Sequence, residues 1–196
     1  TSGANVTSWA DQSGAGNNAT PPSVAAYPTY VASSVNGYPS INFDGTDDEF
    51  RVTDNATLDL TSWHIFLVMK ADVLKSYNAF FVKGDDNMEN YEVLSYSDGN
   101  IHVPVRWTDG SRTAPNSAGG FLSTSNFDVF EYTYVSTLGR DVYKNGSNIY
   151  TDNDAKTPTA NNFDLYIGNE RSTAGRFTDG NIAETILFNA PVNSTQ

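Results

Sequence analysis

Apolar and polar residues alternate over short stretches of the chain, and this pattern predicts β-strands rather than helices. In the segment DVFEYTYV, Phe130, Tyr132 and Tyr134 fall on one face, whereas Glu131 and Thr133 fall on the other. A period of two is typical of a strand with one face in a core and the other toward a semi-polar surface. No window of about a dozen residues keeps apolar positions at helical spacing without Gly, Pro or a β-branched run.

Short segments rich in Val, Ile, Phe, Tyr and Thr are predicted as strands. They are 41–43, 49–52, 63–70, 79–83, 91–96, 101–107, 129–135, 140–144, 148–151, 163–168 and 182–188. The sequences SDGN, TDGS, KNGS and TDGN place Asp or Asn before Gly, which is typical of hairpin turns between antiparallel strands. The first forty residues are rich in Ser, Asn, Gly and Pro and are predicted to form a surface arm. The pattern as a whole predicts an all-β, two-sheet antiparallel sandwich or jelly roll.

Length and charge narrow the classes of function. With 196 residues, of which 38% are hydrophobic, the chain is expected to form a single domain over residues 1–196. A net charge of −12 disfavours nucleic acids and anionic lipid surfaces as partners. No apolar run approaches the roughly 18 residues of a membrane span, so membrane insertion is not expected. The absence of cysteine excludes disulfides and thiolate chemistry.

Six sequence segments occur in a characteristic order, and they cover nearly the whole chain. They are VTSWADQSGAGNNATPP, NGYPSINFDGTDDEFRV, HIFLVMK, VYKNGS, LYIGNE and FTDGNIAETILFN. In this order they resemble the laminin-G-like modules, especially the bacterial type, of the concanavalin A-like lectin and glucanase superfamily. The resemblance implies a jelly-roll sandwich and an extracellular or cell-surface binding or adhesion module beside other domains of a larger protein. We therefore expect a non-catalytic, lectin-like module that binds a polysaccharide or glycoconjugate.

The pentraxin relatives of this superfamily imply a set of calcium ligands. The stretch DDEF at 47–50 looks similar to an acidic stretch that binds calcium in pentraxins, and IGNE at 167–170 looks similar to the strand end before their second cluster. The resemblance thus implies Asp47, Asp48 and Glu170 as ligands of one calcium ion, which requires six to eight oxygen atoms. The alternative is an Asp-rich turn in which the carboxylates bind their own backbone without an ion.

The segment NIHVPVRW and the strand before it contain the candidate sugar-binding residues. Alternation places His102 and Arg106 on a polar face, near Tyr91 or Tyr96 of the preceding strand, with Trp107 beside them on the apolar face. Aromatic rings stack on sugar rings, while planar polar groups bind the hydroxyls. These five residues form the predicted carbohydrate site. The alternative is an ordinary exposed sheet face with the tryptophan in the core.

Enzymes of the same fold are one alternative to a lectin-like module. Laminarinase-type glucanases carry a Glu-x-Asp-x-x-Glu strand, because retaining hydrolysis needs two carboxylates close together. The chain contains no such strand. A polysaccharide lyase needs clustered Arg, His and Tyr side chains, which Arg106, His102 and Tyr96 could imitate. An architectural or adhesive module without a sugar site is a further alternative.

Overall fold

The computed structural model describes residues 2–85, 87–115, 122–170 and 176–192. Within these ranges the chain forms β-strands and two short 3-10 turns, Val24–Ala26 and Ala56–Leu58, but no α-helix. The strands are β1 (Thr29–Val35), β2 (Tyr38–Asp44), β3 (Phe50–Val52), β4 (Trp63–Ala71), β5 (Asn78–Lys83), β6 (Glu92–Ser95), β7 (Ile101–His102), β8 (Val105–Arg106), β9 (Arg112–Thr113), β10 (Asp128–Val135), β11 (Gly139–Lys144), β12 (Ser147–Asp152), β13 (Leu165–Ile167) and β14 (Asp179–Phe188).

Two antiparallel sheets form a jelly-roll sandwich, which confirms the predicted all-β fold class. The seven-stranded sheet has the order β1-β2-β14-β4-β10-β11-β12, and the five-stranded sheet has the order β3-β13-β5-β6-β7. The strands β8 and β9 form a separate hairpin. None of the described segments forms a helix with the length and apolar character that crossing a bilayer requires.

The main core lies between the two larger sheets. Within it, Trp63 of β4 contacts three other aromatic rings. The Trp63 ring centroid is 5.5 Å from that of Tyr91, 5.6 Å from that of Tyr132 and 4.7 Å from that of Tyr134. All four side chains are buried. The inward face predicted for the segment DVFEYTYV is therefore confirmed.

Asn-Gly pairs form two of the hairpin turns. Asn145 and Gly146 have φ of 50° and 78° between β11 and β12, as the KNGS sequence predicts. Asn36 and Gly37 have φ of 50° and 85° between β1 and β2. Positive φ at both central residues matches the twist of antiparallel strands.

Two predictions about local structure are wrong. β1 lies within the stretch that was expected to be a surface arm, so the arm ends before this strand. The TDGN sequence does not form a turn, because Gly180 lies inside β14. A Cβ atom at Gly180 would be 2.3 Å from the carbonyl oxygen of Lys70, so glycine there permits the close approach of β14 to β4.

The N-terminal segment, residues 2–28, crosses from one sheet to the other. Isolated bridges pair Asn5 with Thr29 of β1 and Thr20 with Arg51 of β3. Between these points the ring of Trp9 lies edge-on to a core ring at 6.1 Å and packs against the core. The predicted arm is thus confirmed for this shorter segment.

Candidate functional site

A cleft with a volume of about 90 Å³ opens on the outer face of the five-stranded sheet. Side chains alternate along strands, so Val93 and Ile101 face the main core while Leu94 and His102 face away from it. The cleft has room for several water molecules or part of a sugar. Its lining residues are Tyr77, Glu92, Leu94, Tyr96, His102, Pro104, Arg112 and Arg176.

Aromatic rings form one wall of this cleft. The rings of Tyr77 and Tyr96 meet edge-on at 4.8 Å, and the ring of Tyr96 lies 5.0 Å from that of His102. Burial raises the pKa of Tyr96, and its hydrogen bond with Tyr77 adds to the increase. The Tyr96 hydroxyl is therefore protonated at neutral pH and is held by its hydrogen bond with Tyr77.

Guanidinium groups lie in or beside the cleft, and buried carboxylates pair with them. Glu89, which is 1% exposed, accepts a hydrogen bond from the Nε of Arg112 and lies 3.3 Å from the Nε of Arg106. Glu170 is also buried, and its Oε2 lies 2.5 Å from the Nη1 of Arg176. The carboxylates of Glu89 and Glu170 are thus buried in the protein, whereas the side chain of Arg112 is 37% exposed to solvent.

The β8–β9 hairpin determines where two of these guanidinium groups lie. Asp109 and Gly110 form its turn, in which Gly110 has φ of 82°, and the register pairs Arg106 with Arg112. The indole N–H of Trp107 donates to the Thr113 hydroxyl at 2.7 Å and joins the two strands of the hairpin. A tight turn thus brings two arginines to the same buried carboxylate.

The structure brings together only part of the predicted carbohydrate site. Tyr96 and His102 line the cleft, and Arg106 lies beside it on Glu89. Tyr91 and Trp107 must be corrected, because both side chains are buried in the main core at 1% exposure or less. They cannot present a ring face to a sugar.

Hydrogen bonds and ring contacts explain why these two aromatic residues belong to the core. The hydroxyl of Tyr91 donates to the carbonyl oxygen of Leu58 at 3.0 Å. The ring of Trp107 lies 5.3 Å from that of Tyr134. Tyr91 is two residues from Val93, and Trp107 is two residues from Val105. Both valines face the main core, so the alternation of side chains along a strand predicts that Tyr91 and Trp107 face it too.

Several cleft residues were not identified from the sequence. Glu92 lies an even number of residues from Tyr96, so strand alternation predicts that both side chains face outward on the same side of the sheet. Arg112 follows a TDGS turn that was predicted, and the three-residue loop 108–110 places it opposite Arg106. Tyr77 and Arg176 lie outside the strands, and no periodic signal in the sequence connects them with the cleft.

A second candidate site lies in the acidic loop between β2 and β3. Carboxylate oxygens of Asp44, Asp47 and Asp48 lie within 4.8 Å of one another. Oδ1 of Asp44 accepts from the N–H of Thr46 at 2.8 Å, and Oδ2 of Asp48 accepts from the N–H of Asp44 at 3.0 Å. The pKa of Asp48 is raised to about 6, mainly by burial and also by the charges of Asp44 and Asp47, against the opposing effect of that hydrogen bond. Three acidic side chains here could hold a metal ion.

The prediction that Glu170 joins this cluster is not supported by the geometry and must be corrected. Its carboxylate binds Arg176, whereas Asp44 is the third member of the acidic cluster. β13 pairs with β3, but Gly168 follows with φ of 87° and ends the ladder. The segment after β13 does contact the acidic stretch: the side-chain amide of Asn169 donates a hydrogen bond to the Glu49 carboxylate at 2.7 Å.

No protein-family model matches the chain, and no curated protein sequence matches it. Many solved structures have a similar fold, and they include the three that follow. The binding domain of Paraclostridial Mosquitocidal Protein 1 has a TM-score of 0.77 at 13% identity, and the match covers 99% of this chain but only 49% of that one. The Ruminococcus gnavus IT-sialidase CBM40 bound to α2,3-sialyllactose has a TM-score of 0.60 at 15% identity, covering 71% of this chain and 82% of that one.

The third structure is Domain 4 of AbnA, a GH43 extracellular arabinanase from Geobacillus stearothermophilus, in complex with arabinotriose. Its TM-score is 0.60 at 18% identity, with 82% of this chain and 74% of that one covered. This chain spans about half the length of the toxin binding domain and most of the other two. At these identities the similarities show that the chain has the jelly-roll sandwich fold of these binding domains.

Proposed function

We propose that the chain is a non-catalytic carbohydrate-binding module that binds a polysaccharide or glycoconjugate at the cleft. The observation that carries this proposal is the cluster of aromatic side chains and fixed polar groups there. Tyr77 and Tyr96 supply the rings, and His102 and Arg112 supply hydrogen-bonding groups. Sugar recognition requires an apolar platform and a few oriented polar groups. Two structures of similar fold contain sialyllactose and arabinotriose, which supports the proposal.

We also propose that residues 1–196 form one laminin-G-like domain of a larger protein. That protein would be extracellular or bound to the cell surface and would contain other domains. The order of the six sequence segments supports the laminin-G-like assignment. The toxin binding domain and the domain of an extracellular arabinanase are themselves parts of larger proteins, which supports the setting.

A polysaccharide lyase is the second candidate function. The rings of Tyr96 and His102 lie 5.0 Å apart in a cleft that also contains Arg112, and proton abstraction next to a uronate needs these three residue types. Hydrolysis with two carboxylates has less support, because Glu92 is the single carboxylate among the described lining residues. Formation of an unsaturated product from alginate, lost in His102→Ala, would replace the binding proposal with this one.

Affinity electrophoresis in gels that contain different polysaccharides tests the binding proposal. We expect retention on at least one polysaccharide and a loss of affinity of about tenfold or more in Tyr96→Ala, because truncating a central aromatic contact typically costs about 2 kcal/mol. Tyr38→Ala is the matched control, since Tyr38 is 73% exposed and lies on β2 of the other sheet. Absence of retention on every polysaccharide, with calcium present, would refute a sugar-binding function.

We also propose that the acidic loop binds one calcium ion, with Asp44, Asp47 and Asp48 as ligands. Calcium prefers carboxylate oxygens, and a cation offsets the repulsion between carboxylates that lie within 4.8 Å. A ligand that binds only the folded chain raises the melting temperature. At about one hundred times the dissociation constant, we expect an increase of about 5 to 10 °C, which differential scanning fluorimetry with calcium or chelator measures.

The variant Asp48→Asn distinguishes a metal site from a turn. The ionised Asp48 carboxylate destabilises the metal-free fold above pH 6, because its pKa is raised by folding. With chelator at pH 8, the variant should therefore melt about 2 to 4 °C higher than the parent and should no longer respond to calcium. Asp98→Asn is the control, since Asp98 also caps an exposed turn but lies outside the cluster. An unchanged melting temperature of the parent chain at millimolar calcium would contradict the site.

A further inference from the structure

We infer that the cleft selects sugars that carry a carboxylate, such as sialic or uronic acids, and that Arg112 and Arg176 bind this group. The inference rests on the proposed carbohydrate-binding function and adds the chemical class of ligand. Both side chains line the cleft. A guanidinium presents a planar fork of donors that matches a carboxylate in two parallel hydrogen bonds.

The distribution of cations supports an acidic ligand. The chain has a net charge of −12 with 11 Lys and Arg residues in total. Three of the five arginines in the described ranges, Arg106, Arg112 and Arg176, lie in or beside this one cleft. The carboxylates beside them are each 4% exposed or less, namely those of Glu89, Glu92 and Glu170. The side chains of Arg112 and Arg176, in contrast, are 37% and 21% exposed, so an entering ligand meets positive charge first.

The arginines are held in place before any ligand arrives. Glu89 is 1% exposed and contacts both Arg106 and Arg112, so one negative charge is shared between two positive charges. Glu170, which is 4% exposed, holds Arg176. Because the carboxylates are buried behind the guanidiniums, the cations are the charges nearest to solvent. Fixed side chains lose less conformational entropy when a ligand binds.

The aromatic wall completes the recognition of an acidic sugar. The guanidinium of Arg176 lies 4.2 Å from the centroid of the Tyr77 ring, so a cation–π contact further orients this arginine. Tyr96 lies next to Tyr77, to which its hydroxyl is hydrogen-bonded, and its ring can contact the rest of the sugar. The guanidinium groups and the aromatic rings are thus intermixed in the cleft, where a carboxylate could bind an arginine while the sugar ring contacts a tyrosine.

Isothermal titration calorimetry with 3′-sialyllactose, a galacturonate trisaccharide, lactose and a galactose trisaccharide tests this inference on the full chain. We expect at least one acidic sugar to bind more than tenfold more tightly than its neutral counterpart. Arg112→Gln and Arg176→Gln should each remove most of this difference, because a charge-assisted hydrogen bond typically contributes tenfold or more to affinity. Higher salt should also weaken binding of the acidic sugar.

Arg51→Gln is the matched control for these variants. Arg51 lies on the same sheet, pairs with Glu49 and stacks over Tyr166, but it does not line the cleft. This variant should bind acidic sugars as the parent does. Because Arg112→Gln and Arg176→Gln each take a counter-charge from a buried carboxylate, circular dichroism must show that both are folded at the temperature of the titration. Glu89→Gln should weaken acidic sugars through the position of Arg112 and leave neutral sugars unchanged.

The possible outcomes separate this inference from the proposed function. Equal affinity for acidic and neutral sugars would overturn the inference and leave carbohydrate binding in place. Selective binding that persists in both Arg112→Gln and Arg176→Gln would also overturn it, because the selectivity would come from other residues. Binding to none of these sugars and to no polysaccharide would overturn the proposed function itself.

Discussion

Replacing Gly168 with alanine is expected to lower the free energy of unfolding by about 2 to 4 kcal/mol, because two costs add. Gly168 has φ of 87°, a conformation that costs an L-residue about 1 kcal/mol. A Cβ atom there would also be 2.3 Å from Cδ1 of Phe43, which is fully buried. Phe43 cannot move aside without disturbing the core, and overpacking of this kind costs about 1 to 3 kcal/mol.

Urea unfolding followed by tryptophan fluorescence measures this loss. Gly110→Ala is the matched control, since Gly110 has φ of 82° but a Cβ atom added there would have open space on all sides out to 4 Å. The control should lose only the backbone cost of about 1 kcal/mol. Equal losses in both variants would mean that the contact between Gly168 and Phe43 does not limit the packing of β13.

Replacing Trp63 with alanine is expected to cost about 3 to 5 kcal/mol of unfolding free energy. The side chain is fully buried and contacts the rings of Tyr91, Tyr132 and Tyr134. The two sheets contribute to this cluster from opposite sides, so the cavity left by alanine would weaken the contact between them. A loss of this size is a large part of the total stability of about 5 to 15 kcal/mol that is usual for a domain.

Trp63→Phe separates the contribution of ring packing from that of the indole N–H. The Nε1 of Trp63 is buried without a hydrogen-bond partner among the described residues, so removing it should not cost a hydrogen bond. We therefore expect this variant to lose much less stability than the alanine variant in urea unfolding followed by circular dichroism. Tyr38→Ala, at a site that is 73% exposed, should be nearly neutral. An alanine variant at Trp63 as stable as this control would contradict the described core.

The alternation of apolar residues predicted most of the sandwich because one face of each strand must enter the core. The strand β10 shows this directly, with alternate residues buried along its whole length. The strand β1 was missed because its alternation is broken. Ser33 has φ of 55°, and the register between β1 and β2 shifts between Val31 and Val35, so a bulge interrupts the period of two.

The candidate site was only partly predictable, because residue type was given more weight than strand face. Tyr91 and Trp107 were chosen as aromatic residues, although their positions in the alternation place them in the core. Tyr96 and His102 were found because they lie on the outward face. The carboxylate that fixes Arg112 could not be found in this way, because Glu89 lies outside the strands and reaches the hairpin only in the folded chain.

The course of the N-terminal segment has a consequence for the solubility of the fold. The segment forms backbone hydrogen bonds with Tyr30 of β1 and Arg51 of β3, which are the outermost strands of the two sheets on that side. Unpaired outer strands are templates for intermolecular pairing and aggregation. Residues 2–20 therefore act as a protective cover for two open sheet edges at once. A shortened version that begins after Thr20 would present both edges side by side, and self-association would then compete with correct folding.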